Sequence, residues 1–348
     1  MAVDSHMSAS TPHPESPLLT SLLRDVSRSF YLTMRVLPQA IRPQISLAYL
    51  LARATDTIAD TELLPVDERL GALKQLRERI LGEREFSVNF GKLAERQQND
   101  AERVLLERVE EALAVFSRFT YSDQQRIRDV IDTITSGQEL DLQRFRRTEP
   151  EEIIALSSDA ELDDYTYRVA GCVGEFWTKI CRGHLFPNTP LDDATLIANG
   201  VRFGQGLQLV NILRDLPRDL QEGRCYLPSD KLDAIGLRPA DLRDTQMESA
   251  FRALYHGYLD QAYDHLQAGW NYTNSLPRRF VRLRLACAWP ILIGIDTIQK
   301  LRKTNILTTA NRVKISRAEV YAMIIKSVIR YPFPPLWRGL FPELNRSN

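Results

Sequence analysis

Residues 49–60 read YLLARATDTIAD, and their spacing decides the fold. Tyr49, Arg53, Asp56 and Asp60 recur at intervals of four, three and four, which places all four side chains on one stripe of a single helix. Leu50, Leu51, Ala52, Ala54, Ile58 and Ala59 cover the rest of that helix with apolar surface. Two carboxylates on such a helix must meet solvent, a counter-charge or a metal ion, because an unpaired buried carboxylate is prohibitively costly.

The same period continues along nearly the whole chain. It predicts helices at residues 17–35, 43–60, 66–82, 93–116, 122–144, 160–184, 191–216, 245–274, 280–303 and 316–328. Alternating β-branched runs and Asn-Gly or Asp-Gly hairpin turns are scarce. The breaks fall at Leu37-Pro38, Leu64-Pro65, Thr148-Glu149-Pro150, Phe186-Pro187-Asn188 and Ser275-Leu276-Pro277, none long enough to link separate domains. A single all-α domain over residues 17–348 is expected, after a disordered lead-in or tag remnant at 1–16.

A second polar stripe lies in residues 203–228, FGQGLQLVNILRDLPRDLQEGRCYLP. Gly204, Gln208, Asn211 and Asp215 repeat the four, three, four spacing among apolar neighbours. Asp219 follows one turn later, but Pro217 lacks an N–H and crowds the Leu213 carbonyl. That predicts an end or kink nearby and leaves the place of Asp219 on the stripe open. Hard divalent cations prefer carboxylate oxygens and complete their shell with water and substrate phosphates, so magnesium is the natural ligand for two such stripes. One Asp-x-x-x-Asp pair alone reads better as a solvated face or as a partner of nearby Arg; two, each with polar partners N-terminal on the same stripe of an apolar helix, favour the metal.

Composition narrows the partners. Lys and Arg number 45, as do Asp and Glu, so no net field draws nucleic acid or an anionic bilayer, and an anionic ligand must be held by local basic residues. Nucleic acid is therefore not an expected partner. Cys172, Cys181, Cys225 and Cys287 show no Cys-x-x-Cys spacing and read as reduced core thiols. The polar start lacks a secretory apolar core, which predicts a cytoplasmic protein. LRLACAWPILIGIDTI, residues 283–298, falls short of the ~20 residues a membrane span needs and reads as a buried helix. The Pro- and aromatic-rich C-terminus, YPFPPLWRGLFPELNRSN, either docks peripherally on a membrane or packs against the body. Oligomeric state is not legible.

Two further segments carry polar chemistry. SRSFYLTMRVLP, residues 27–38, groups Ser27, Arg28 and Ser29 before Phe30; a guanidinium and two hydroxyls suit a phosphate, although helix capping uses the same residues. DDYTYRVAGCVGEFWTKI, residues 163–180, places small residues at Ala170, Gly171 and Gly174, which admit another backbone or a long apolar ligand. Tyr165 in that segment needs a hydroxyl partner once buried, as an acid/base or as a satisfied core residue.

Taken in order, SRSF, LARATDTIAD, YTYRVAGCVG and QLVNILRDLPRD resemble the squalene/phytoene synthase family of head-to-head prenyl synthases, over roughly residues 17–300. The resemblance implies an isoprenoid-synthase helical bundle around a central cavity, lined by residues such as Val169, Cys172, Phe176 and Leu207. It implies that Asp56, Asp60, Asp215 and Asp219 belong to two facing motifs that hold Mg2+ with substrate diphosphates. Tyr49 and Arg53 match residues that assist diphosphate chemistry, and Tyr165 matches a tyrosine assigned to the first condensation. Ser27, Arg28, Ser29 and Phe30 match diphosphate and entry-flap residues; Gln208, Asn211 and Arg214 match residues beside the second metal cluster. Arg218 and Pro217 depart from the family's second motif.

Within the family, LARATDTIAD is closer to the pattern of squalene synthases, and NRVKISRAEV, residues 311–320, resembles their segment beside the nicotinamide. That likeness implies NADPH contacts at Arg53, Asn311 and Lys314. No Gly-rich Rossmann fingerprint is present, so NADPH would bind in the family's own manner. The implied activity joins two farnesyl diphosphates into presqualene diphosphate and reduces it to squalene, for sterol or hopanoid synthesis. Open alternatives are a synthase that stops at phytoene, dehydrosqualene or presqualene diphosphate, and a non-catalytic assembly relative.

Overall fold

The structure, a computed structural model, describes residues 22–27, 30–61, 63–147, 149, 151–308 and 313–343. They form sixteen α-helices and one two-stranded parallel sheet, arranged in two compact units. The first unit is discontinuous, residues Met1–Thr135 with Lys179–Pro187; the second comprises Ser136–Thr178 with Asn188–Asn348.

In the first unit the chain runs through α1 (Leu23–Ser27), α2 (Phe30–Val36), α3 (Arg42–Ala59), α4 (Val66–Leu81), α5 (Gly91–Ala94), α6 (Asp100–Glu107) and α7 (Val109–Phe116) into α8 (Tyr121–Arg144). Helix α3 is its centre: Leu47, Leu50, Leu51, Ala54 and Ile58 are wholly buried, and α4, α6 and α7 pack on it. Pro43 near its start forfeits only an N–H that has no helical acceptor. The buried Arg69 donates to the Ala59 carbonyl at 2.8 Å, tying α4 to the last turn of α3. The single helix expected at 93–116 is instead three pieces. Asn99 offers its Oδ1 to the Ala101 N–H at 2.9 Å and starts α6, and Arg108, at φ −108° and ψ 16°, leaves helical geometry before α7. Short polar side chains compete with the helix in this way.

Asp123, only 2% exposed, is the first unit's most deeply held charge. It accepts from His184 Nε2 at 2.8 Å, Arg126 at 2.9 Å and Gln44 at 3.3 Å. Burial alone would raise its pKa, but these partners hold it below the ordinary carboxylate value. His184 comes from the late segment Lys179–Pro187.

The second unit continues through β1 (Ile154–Ala155), α9 (Asp159–Thr166), a π-helical turn (Tyr167–Gly171), the first half of α10 (Cys172–Leu185, which from Lys179 on counts with the first unit), α11 (Asp193–Gln221), β2 (Arg224–Cys225), α12 (Ser229–Asp233), α13 (Glu248–Ser275), α14 (Val281–Arg302), α15 (Arg317–Arg330) and α16 (Pro334–Arg338). Helix α11, of 29 residues, packs on α13, α14 and the π turn. Its approach to the π turn and α10 is backbone to backbone. A Cβ on Gly204 would sit 2.1 Å from the Ala170 carbonyl oxygen, and one on Gly174 would sit 1.8 Å from that of Gly200. The small residues at 170, 171 and 174 thus serve helix packing.

Pro217 does not end α11, contrary to the sequence expectation. The carbonyl it deprives is that of Leu213, and the buried Tyr255 hydroxyl donates to that oxygen at 3.0 Å. A side chain from α13 supplies the hydrogen bond that proline cannot, so the usual penalty of a stranded carbonyl is avoided. The helix continues through Asp219.

Helix α14 is the expected buried helix, with Leu283, Ile291, Ile295 and Ile298 wholly buried. Among the described residues no helix is long and apolar enough to cross a membrane. All four cysteines are buried thiols outside any disulfide; burial pushes those of Cys172, Cys225 and Cys287 up to about 12. Part of the C-terminal segment packs against the body. Trp337 stacks on Trp270 at 5.2 Å and donates to Asn274 Oδ1 at 2.8 Å, and Tyr263 donates to the Pro342 carbonyl at 3.0 Å.

Candidate active site

In the first unit, residues 43–59 of α3 are buried except at 49, 52, 53, 56 and 59, and Asp60 beyond them is exposed. The polar stripe expected from spacing is therefore the helix's open face. Arg53 donates to Glu102 of α6, and its Nη1 lies 3.9 Å from Asp56 Oδ2. Burial would lower the Arg53 pKa, but Glu102 and Asp56 raise it above its ordinary value, fixing the positive charge. The Asp60 N–H closes the helix on the Asp56 carbonyl at 2.8 Å. Glu102 carries no spacing signal, because its role depends on a contact between helices.

In the second unit α11 opens along the equivalent stripe. Gly204, Leu207, Gln208, Asn211, Arg214, Asp215 and Asp219 are half-buried, while Leu209, Val210, Ile212, Leu213, Leu216 and Leu220 are buried. Arg214 grips Asp215 with two hydrogen bonds, at 2.9 and 2.7 Å. Arg218 turns away to Glu222 at 2.7 Å and leaves Asp219 without a direct basic partner on its own helix. Burial, then the charges of Asp215 and Glu222, push the Asp219 carboxyl up to about 7, against the smaller opposing effects of Arg224 and Arg218. Asp215 and Glu222 each have an arginine, so Asp219 is the carboxyl that a cation placed at this end of the stripe would relieve.

Tyr165, buried on α9, belongs to the same unit. Its hydroxyl donates to Tyr226, whose ring stacks on it at 4.7 Å, and Tyr226 donates to Asp141 of α8 at 3.1 and 3.2 Å. Arg224 stands 3.8 Å from Asp141. The pairing of β1 with β2, Ile154 opposite Arg224 and Ala155 opposite Cys225, fixes the segment that presents Arg224 and Tyr226. Burial, then Tyr226 and Asp141, raise the Tyr165 pKa well above its ordinary value, which keeps its hydroxyl neutral. The π turn begins two residues after Tyr165, at Tyr167; such turns often accompany functional sites. Asp141, Arg224 and Tyr226 escaped the sequence reading, because their roles depend on contacts between separate elements.

The remaining candidates are placed as follows. Ser27 is 4% exposed and its Oγ has no hydrogen-bond partner among the described residues. Arg28, Ser29, Asn311 and the side chain of Phe30 lie outside the described residues. Lys314 is exposed, and its carbonyl accepts from Lys300 at 3.2 Å. Among the described residues no three His, Cys, Asp or Glu side chains form a group that could by itself hold a metal. The donor set fits a hard cation that keeps water and phosphate ligands, rather than a closed protein cage.

A family model described as squalene/phytoene synthase matches residues 23–319. A presqualene diphosphate synthase of Rhodopseudomonas palustris is 28% identical over 304 residues, 86% of this chain and 93% of that protein. One of Sinorhizobium fredii is 30% identical over 257 residues, 73% of this chain and 77% of that protein. The solved structure of TcSQS with the ligand E5700 superposes with a TM-score of 0.74 at 21% identity, covering 95% of this chain and 92% of that one.

Proposed function

The chain belongs to the squalene/phytoene synthase family, an all-α family of prenyltransferases, and from that premise we propose that it joins two farnesyl diphosphates head to head into presqualene diphosphate and reduces this to squalene with NADPH. The observation that carries the reading is the crowded acidic end of α11, where Asp219 sits with its pKa at about 7 beside Asp215 and Glu222. Carboxyls raised by burial and like charge cluster at sites that take a cationic or reacting ligand.

Asp56 and Asp60 on the one stripe, and Asp215 and Asp219 on the other, would each hold Mg2+, whose charge would offset that of a departing diphosphate. Arg53 and Arg214, each already anchored by a carboxylate, present fixed positive charge along those stripes. Gln208 and Asn211 offer amide donors on the same open face of α11. When the cyclopropane of presqualene diphosphate closes, a C–H bond breaks and its electron pair forms the last ring bond. Tyr165 takes that proton and passes its own through Tyr226 to Asp141. The neutral hydroxyl chain ending in a carboxylate suits this transfer.

Tyr226→Phe should therefore slow turnover about 10- to 100-fold with little change in KM, because it cuts the chain without touching the diphosphate site. A change confined to KM would sink the relay.

The reductive step is supported by the likeness of residues 311–320 to the nicotinamide segment of squalene synthases. A second reading, release at presqualene diphosphate, is favoured by the names of the Rhodopseudomonas and Sinorhizobium relatives. Incubation with farnesyl diphosphate and Mg2+, with and without NADPH, followed by mass analysis, distinguishes them. Squalene only with NADPH is the expected result, and presqualene diphosphate in both incubations would favour the second reading. Undiminished turnover in EDTA, or no prenyl product at all, would overturn the proposal.

A further inference from the structure

Helix α15 packs on α14 through Ser327, which is wholly buried and accepts from Trp289 Nε1 at 3.0 Å. Its opposite side is bare. Tyr321, Ile325, Val328 and Ile329 are 57, 58, 49 and 64% exposed, and Phe333 and Leu336, at 56 and 50%, prolong the surface into α16. Large apolar side chains in such a row mark an interaction surface.

The surrounding charge says what it meets. Residues 277–343 contain thirteen Lys and Arg against three Asp and Glu, a net +10, so the rest of the neutral chain carries −10. The chain-wide balance that argued against attraction to a bilayer conceals this segregation. Arg278 reaches the edge of the face, donating to the Pro332 carbonyl at 3.3 Å, while Lys326 and Arg338 stand exposed on the same two helices. Glu319, one of the three acids, is paired with Lys300 at 2.9 Å. A second copy seated on this face would bring like charge against like, which is unfavourable. An anionic bilayer supplies both an apolar layer and phosphates.

We propose that α15 and α16 form an interfacial membrane-docking face, lying flat on anionic lipid with the apolar row in the headgroup boundary and the basic side chains on lipid phosphates. The proposal does not depend on the reaction assigned to the acidic stripes.

The test is flotation of the full chain with phosphatidylcholine vesicles, plain or with about one third phosphatidylglycerol. The parent should partition onto the anionic vesicles at least about tenfold more strongly, and less as salt is raised. The double variant Ile325→Asp/Ile329→Asp should lose about tenfold of that partitioning with an unchanged melting temperature, since both side chains are exposed. Lys326→Glu/Arg338→Glu should remove the preference for anionic lipid. Equal partitioning of the parent and the Ile325→Asp/Ile329→Asp variant would overturn the proposal. So would a parent that ignores vesicles but elutes as a dimer which that variant dissociates, because the face would then belong to a second copy.

Discussion

Asp219→Asn should cost about a thousandfold in turnover of farnesyl diphosphate and yet make the metal-free protein more stable at alkaline pH. The sign follows from the carboxyl's surroundings. Its pKa in the folded protein is about 7, above the ~4 of an unfolded chain. The folded state therefore holds the proton more tightly. The contribution to stability is complete below pH ~4 and is lost as pH rises through about 7. Asparagine is neutral throughout and escapes that loss. Melts in EDTA should show the parent weakening between pH ~4 and about 7, with no further loss above that, while the variant stays nearly level. At pH 8 the variant should lead by on the order of 2 kcal/mol, less than the full shift implies because the carboxyl retains some hydration. Coincident melts at pH 8 would show that the crowding of Asp219 by Asp215 and Glu222 is not felt by the folded protein. Loss of activity with a gain in stability is the signature of residues arranged for a ligand.

Gly174→Ala should be among the most damaging single changes in the chain. One methyl group there would lie 1.8 Å from the Gly200 carbonyl oxygen and 2.5 Å from its carbon. Both are backbone atoms of α11 and cannot swing aside as a side-chain end would. Separating the helices would also loosen the close approaches of Gly204 to the Ala170 carbonyl and of Gly200 to the Thr178 hydroxyl, where a Cβ on either glycine would sit 2.1 and 2.7 Å away. A loss of about 3–4 kcal/mol, near 10 °C in melting temperature, is expected. Gly257→Ala is the control: it lies exposed within α13 with nothing within 4 Å of a new Cβ, so alanine should stabilise by about 0.5–1 kcal/mol. If both changes shift the melt by similar amounts, the backbone contact does not limit the packing.

The open faces of α3 and α11 were legible because helical period alone decides which side chains share a stripe, and apolar neighbours say which side is buried. Pro217 was misread because the remedy is remote: Tyr255, which feeds the Leu213 carbonyl, stands on a different helix. The partners of the site were hidden for the same reason. Glu102 reaches Arg53 across two helices, and Asp141 meets Tyr226 through a strand pair only two residues long, too short for any alternating pattern. Near residue 99 a local signal, the capping asparagine, was present and was outweighed by the apolar period on either side of it. Averaging charge over the chain likewise erased the basic C-terminal region, which appears only when charge is counted by segment.

The discontinuity of the first unit bears on how the protein is made. Its body is complete in sequence at Thr135, but Lys179–Pro187 must still join it, and residues 136–178 are translated in between. Until then Asp123 lacks His184, the partner at 2.8 Å that offsets its burial. A carboxylate short of its partners resists being sealed from water, so the emerging N-terminal portion is held short of its final packing. Residues translated first are thus finished late. A ribosome that stalls before His184 exposes an unsealed core to chaperones and proteases, and the pace of translation through α10 becomes part of the protein's yield.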